Sequence, residues 1–168
     1  MAENDYAVVV GICRYPALRE LSGPVNDAHS FRDWLVTRGA VPPGNIELVV
    51  TPDNAETMTQ RNAQPLRDQV IMALDAVLGN VGQQGKAGRR LCLFLAGHGY
   101  ARQVDDAALL MANAGGGSFP SVSGTQVANW FRASATFDEI VLIMDCCREE
   151  CLGENSKTPC WVCLAPIC

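Results

Sequence analysis

The chain has 168 residues, a length that predicts one domain, and 48% of them are apolar, enough to build a substantial core. Its 13 basic and 18 acidic side chains give a net charge of −5, which argues against a nucleic-acid-binding surface. No apolar stretch is long enough to span a bilayer, and the acidic N-terminus lacks the pattern of a signal peptide. We therefore expect a cytoplasmic protein that binds neither nucleic acid nor membrane.

The first half of the chain predicts two strands, each followed by a helix. Tyr6–Ile12 is a nearly continuous apolar run, which is typical of a strand buried on both faces. After a loop, Val25–Arg38 carries apolar residues at the spacing of an amphipathic helix. The second strand is Ile46–Val50, and Pro65 suits the first turn of a second helix that continues to Val77.

The second half continues the alternation. The third strand is Arg90–Ala96, and Ala108–Met111 is a short strand that is antiparallel or at an edge. Gly124–Ser134 is a helix, and Glu139–Asp145 is the fourth buried strand. This order of elements predicts a three-layer α/β fold with a mostly parallel central sheet and right-handed crossovers.

Two of the predicted strands lead into reactive side chains. His98, one of 2 histidines, follows the third strand, and Cys147 follows the fourth strand 49 positions later. Because parallel strands bring their carboxyl ends to one edge of the sheet, we expect the two side chains to lie side by side. A cysteine within reach of an imidazole is a nucleophile with its base. The alternative is a small buried thiol and a histidine in a turn.

Four segments together resemble the caspase-like cysteine peptidases, especially their bacterial and metacaspase branch. They are the opening strand 7–12, the stretch 21–28 with Asn-Asp-Ala at a helix start, Gly97-His98-Gly99, and Asp145-Cys146-Cys147. The resemblance covers about residues 6–150, and the interval from His to Cys is similar to that of caspases. It implies a three-layer caspase-like fold and a cysteine endopeptidase that acts on protein or peptide substrates. We expect neither a cofactor nor a metal.

The resemblance also implies catalytic roles by position. The family pattern is Asp-x-Cys, so Cys147 is the implied nucleophile and Cys146 the variable middle residue. His98 is the implied general base and acid. The backbone N–H groups of Gly99 and Cys147 are the implied oxyanion hole.

Two acidic residues carry the implied substrate preference. Asp27 and Asp145 match acidic residues of the metacaspase specificity pocket, so we expect cleavage after Arg or Lys. The alternative for Asp27 is a structural role, in which its carboxylate interacts favourably with the helix dipole in the first turn. In the short segment after Gly99, Asp105 and Asp106 are the only pair of adjacent acidic residues. Their carboxylates supply too few oxygen ligands to predict a calcium site. By analogy with bacterial members, the expected setting is bacterial defence or programmed cell death.

The chain is expected to divide near residue 150. Residues 1–150 would form the large-subunit part of a caspase-like peptidase domain, and residues 151–168 a cysteine-rich tail or loop that is cut short. We expect that a small-subunit segment or an activator protein is missing, and that the chain alone has little turnover. A zinc site, a tail disulfide or an irregular loop are alternatives for the last cysteines, namely Cys147, Cys151, Cys160 and Cys163.

Two other functions stay open at this point. A catalytically silent caspase-like interaction module would be favoured by a missing second half of the domain. A doubly wound regulatory domain would be favoured by a ligand at the strand ends away from Cys147. The glycine clusters at 79–88 and 115–117 lack the Lys-Ser/Thr ending of a phosphate-binding loop.

Overall fold

The structure is a computed structural model that describes residues 2–53, 57–79, 86–101 and 106–146. Its centre is a parallel sheet of four strands, numbered along the chain as β1 (Asp5–Gly11), β2 (Ile46–Val50), β3 (Gly88–Gly97) and β7 (Phe137–Cys146). The strands lie in the order β2-β1-β3-β7. The four long apolar runs therefore all form parallel strands, as the sequence predicts.

Three helices cover the two faces of this sheet, and they are α1 (Pro24–Thr37), α2 (Arg67–Gly79) and α3 (Gly124–Ala133). One face packs against Ala28 and Leu35 of α1, and the other packs against residues of α2 and α3. Successive side chains of a strand point to opposite faces, so β1 and β3 contribute to both cores. The predicted three-layer α/β fold is confirmed. None of the helices in the described ranges is long and apolar enough to cross a membrane.

A small antiparallel sheet follows β3 directly. It consists of β4 (Gly99–Ala101), β5 (Ala107–Leu110) and β6 (Ser121–Ser123), in that order. The sequence predicts only β5, because strands of three residues are too short to show an alternating pattern. The small sheet matters for the site, since it begins at the residue after His98.

The start of α2 differs from the prediction. The helix begins at Arg67, and Pro65 precedes it after a cis peptide bond with Gln64. The N–H of Leu66 donates a 2.7 Å hydrogen bond to the Gln69 side chain, which caps a helix that begins two residues after Pro65. Pro65 is therefore not in the first helical turn, and Leu66 is exposed rather than part of the core.

Candidate active site

The carboxyl ends of three strands lie in register at one edge of the parallel sheet. Gly11 of β1, Ala96 of β3 and Asp145 of β7 form one row across the sheet. Gly97 and Cys146 are paired in the next row, where the described part of β7 ends. His98 is the next residue after Gly97, so β3 delivers it to this edge as the sequence predicts.

Cys147 is the residue that follows Cys146, and it lies outside the described residues. The same is true of Asp105 and of the other cysteines in the zinc hypothesis, namely Cys151, Cys160 and Cys163. The described residues hold no group of three or more side chains that could bind a metal ion. Asp106 accepts a 3.0 Å hydrogen bond from the Ser123 hydroxyl, which ties it to the start of α3.

The main chain of His98 is fixed by a closed cycle of hydrogen bonds. Its N–H donates to the Tyr15 hydroxyl at 3.0 Å, and that hydroxyl donates to the Leu110 carbonyl at 3.3 Å. The Leu110 N–H completes the cycle by donating to the His98 carbonyl at 2.8 Å. Both polar main-chain groups of His98 are therefore satisfied, and its peptide is tied to β5.

The imidazole of His98 has a defined partner. Nε2 lies 2.6 Å from the main-chain carbonyl oxygen of Arg19. A carbonyl can only accept, so Nε2 must carry the proton, and Nδ1 is the basic atom of the neutral ring. The ring of Tyr15 meets the imidazole edge to face, with centroids 4.8 Å apart. This arrangement suits an imidazole that takes and returns a proton at Nδ1.

Both partners of the His98 imidazole, Tyr15 and Arg19, come from one loop, residues 13–21. The Leu21 N–H donates to the Cys13 carbonyl at 2.8 Å and closes the loop at its ends. Inside it, Arg14 forms an ion pair with Glu20 at 2.9 Å. Sequence reasoning missed both partners of His98. Arg19 acts through its carbonyl, which no residue type encodes, and Tyr15 is an isolated aromatic residue in a loop without a periodic pattern.

Gly97 makes room for the Tyr15 hydroxyl beneath the end of β3. Its φ is +153°, which L side chains rarely adopt. A β-carbon there would lie only 2.5 Å from the Tyr15 hydroxyl oxygen and 3.0 Å from the Ile12 carbonyl oxygen. The glycine before His98 is therefore required by space as well as by conformation.

The buried hydroxyl of Tyr15 is strongly desolvated. Burial raises the pKa of Tyr15 well above its ordinary value, and the hydrogen bond from the His98 N–H only partly offsets the increase. The thiols of Cys146 and Cys13 lie near enough to raise the pKa further. Tyr15 therefore stays neutral at physiological pH and remains a hydrogen-bond donor.

Cys146 points away from the α1 side of the sheet. Its side chain packs, with Leu142 and Met144, against the core that α2 and α3 cover. A β-carbon on Gly99 would lie 2.6 Å from the Cys146 Sγ, so the start of β4 runs directly beside the end of β7. Gly99, one of the two predicted oxyanion donors, is thus adjacent to the described end of β7, and the other predicted donor, Cys147, lies outside the described residues.

Asp27 and Asp145 lie on the same face of the sheet, and both are exposed. Asp145 shares its row with Ala96, which packs in the α1-side core. Asp27 is in the first turn of α1, beside Ala28 of the same core. The row from Gly11 to Asp145 spans two strand spacings, about 10 Å. The ion pairs among the described residues use other acidic side chains, so neither carboxylate is neutralised there.

A comparison with protein families identifies the family of this chain. The model of the caspase domain, peptidase family C14, matches residues 4–160. This range includes all four parallel strands and every residue predicted for the site. A search of the curated proteins finds no significant match.

Proposed function

Because the chain belongs to the caspase-domain family of cysteine peptidases, we propose that it is an endopeptidase with Cys147 as nucleophile and His98 as base. The observation that carries this proposal is the position of His98. Its imidazole is held at the end of β3, where Nε2 donates to the Arg19 carbonyl, and Cys147 is the residue that follows Cys146 in the sequence, at which the described part of β7 ends. A nucleophile and an oriented base at neighbouring strand ends are what acyl transfer requires.

The choice of Cys147 over Cys146 follows from alternation along β7. Val141 packs with the α1-side core, and the side chains of Leu142, Met144 and Cys146 pack with the opposite core. Cys146 therefore contributes to packing. An extended strand would direct the next side chain to the other face, the face of Asp145.

The proposed reaction proceeds through an acyl-enzyme. The Cys147 thiol gives its proton to Nδ1 of His98, and the thiolate adds to the scissile carbonyl carbon. The N–H groups of Gly99 and Cys147 would donate hydrogen bonds to the developing oxyanion. As the C–N bond breaks, Nδ1 returns the proton to the leaving amine, and a water deprotonated by Nδ1 then hydrolyses the thioester.

We propose Asp27 and Asp145 as the acidic side of the pocket for an Arg or Lys side chain. Both carboxylates are exposed on one face of the sheet, with only the methyl group of Ala96 in the row beside Asp145. A guanidinium placed between them would gain charge-assisted hydrogen bonds that an acidic substrate cannot make. The proposed setting, the cytoplasm and bacterial defence or cell death, rests on analogy with metacaspase-like bacterial proteins.

The proposed partner is a strand-forming segment that pairs with the outer edge of β7, supplied by a small-subunit segment or an activator. β7 is an edge strand of the described sheet, and after the buried Phe137 its apolar residues are only half-buried or exposed, with Ile143 36% exposed. An apolar strand with an open edge and two partly open faces is suited to further pairing. In this proposal residues 1–150 are the large-subunit part, and adding the pairing segment raises turnover of an arginyl peptide.

An acyloxymethyl-ketone probe with Arg at its recognition position tests the function. We expect an adduct on Cys147, seen by peptide mass spectrometry, that forms faster than with a matched Asp probe. The adduct should persist in Cys146→Ala and disappear in Cys147→Ala. If neither probe labels the folded protein, even after the β7-pairing segment is added, the result would instead support a catalytically silent interaction module.

A further inference from the structure

We propose that Tyr15 is a positioning residue for His98, and that its hydroxyl holds the imidazole in the Nε2–H form by bridging the His98 N–H and the Leu110 carbonyl. The proposal rests on the proposed function, because it assigns a task to the catalytic imidazole. Tyr15 does not contact the scissile bond in this scheme and acts only through His98.

The hydroxyl, and not the ring, is the part of Tyr15 that the site requires. The side chain is buried, so a phenylalanine would fill nearly the same space and keep the ring contact with His98. What the phenol adds is two hydrogen bonds, at 3.0 Å and 3.3 Å. Both belong to the cycle that fixes the His98 peptide against β5 through Leu110.

Loop 13–21 restrains the imidazole from two directions. The Tyr15 ring lies edge to face against it, and the Arg19 carbonyl accepts from Nε2. The hydroxyl anchors the main chain from which the ring projects. Because the restraints share one loop, release of the hydroxyl would also change the position of the Arg19 carbonyl relative to the ring. The Nε2–H donor serves both the neutral and the protonated ring, so Nδ1 can cycle its proton without reorientation.

The protonation state of Tyr15 favours this role. The desolvated hydroxyl keeps its proton, so it donates to Leu110 and accepts from His98 across the pH range of catalysis. A hydroxyl that ionised there would lose the bond to the Leu110 carbonyl. The phenol is thus a constant restraint and takes no part in proton transfer.

Nitrogen-15 NMR of the imidazoles tests the proposal in the chain itself, which has only 2 histidines. His29 lies on α1 and serves as the internal reference. We expect wild-type His98 to show one Nε2–H form, Tyr15→Phe to show mixed forms, and His29 to stay unchanged. Tyr6→Phe is the matched control, because it removes a buried phenol near the other end of β3 and should leave His98 unchanged. A wild-type His98 spectrum in folded Tyr15→Phe would overturn the proposal.

Labelling kinetics separate this proposal from the proposed function. If the proposed function and the positioning role of Tyr15 are both correct, His98→Ala abolishes rapid probe labelling. Tyr15→Phe then slows the first-order inactivation step by about tenfold, while the probe concentration that gives half-maximal inactivation changes little. If the probe labels His98→Ala at the wild-type rate, the assignment of His98 as the base is wrong. The NMR spectrum of Tyr15→Phe then still tests, independently, whether Tyr15 holds the His98 imidazole in one form. If only Tyr15→Phe labels at the wild-type rate, the positioning role is wrong.

A second measurement covers the case in which Tyr15→Phe does not fold. 3-Fluorotyrosine at position 15 keeps the hydroxyl, and its fluorine-19 shift reports on its neighbours. We expect that shift to change with pH and to lose this change in His98→Gln, a control made necessary by the nearby thiols of Cys13 and Cys146. A pH response that is identical in His98→Gln would contradict the coupling.

Discussion

The imidazole Nε2 of His98 lies 2.6 Å from the main-chain carbonyl oxygen of Arg19. This contact selects the Nε2–H form of the ring and leaves Nδ1 as its basic atom. Because the partner is a carbonyl, the orientation of the proposed base depends on the path of loop 13–21 and not on the side chain of residue 19. Substitutions in and around this loop therefore separate backbone effects from side-chain effects.

Replacement of the Arg19 side chain should leave the site intact. Arg19 is exposed, and only its carbonyl touches His98. We expect Arg19→Ala to label with the arginyl probe within about twofold of wild type, with a change in stability below about 0.5 kcal/mol. Loss of labelling in this variant, with the fold intact, would mean that the arginine side chain itself acts in the site.

Gly97→Ala should damage the site and the fold together. A β-carbon would collide with the Tyr15 hydroxyl, and the φ of +153° disfavours any side chain. We expect the free energy of unfolding to fall by about 2 kcal/mol or more and labelling to be lost. Gly44→Ala is the matched control, because no atom lies within 4 Å of the position of its β-carbon. Equal denaturant midpoints for the two variants would refute the close approach of Tyr15 to β3.

The parts of the fold that the sequence predicted are those with a long periodic signal. β1, β2, β3 and β7 are apolar runs, and most of their apolar residues are buried or half-buried, so their composition alone predicts these strands. β4 and β6 were missed because three residues carry no period. The start of α2 was predicted two residues too early, because Pro65 suits a first helical turn, whereas the Gln69 side chain caps the helix at the N–H of Leu66.

The same reasoning explains what was predicted about the site. His98 and Asp145 could be placed because strand ends in a parallel sheet converge. Tyr15 and Arg19 could not, because their contacts with His98 join loop 13–21 to β3 across more than 75 positions of sequence. The role of Cys147 remains a prediction from its position in the sequence.

Removal of either carboxylate of the proposed pocket should weaken the cleavage of arginyl substrates selectively. We expect Asp145→Asn and Asp27→Asn to lower kcat/KM for an arginyl peptide about tenfold or more, because a charge-assisted hydrogen bond is worth about 1.5–3 kcal/mol. Stability should hardly change, since both side chains are exposed. Asp75→Asn, on an exposed position of α2, is the control and should cleave as wild type. An equal loss of kcat/KM for arginyl and aspartyl peptides would contradict the assignment of these carboxylates to the pocket.

The fold should be sensitive to alkaline pH. Burial raises the pKa of the Cys92 thiol above its ordinary 9.0 and that of the Tyr15 phenol above its ordinary 10.0. The unfolded chain therefore releases these protons at lower pH than the folded protein, so the stabilisation is complete below these ordinary values and is lost above them. We expect Tm to fall as pH rises above about 9, and to fall less in Cys92→Ala. A Tm that stays constant to about pH 11 would contradict the burial of both groups.

The most direct test of the proposed Cys147–His98 pair is the alkylation rate of Cys147 at neutral pH, followed by peptide mass spectrometry in wild type and His98→Ala. An imidazole in reach favours the thiolate, which is the reacting form. The account predicts that Cys147 in wild type reacts about tenfold or more faster than in His98→Ala, while Cys146 reacts slowly in both. Equal Cys147 rates in the two folded proteins would contradict it.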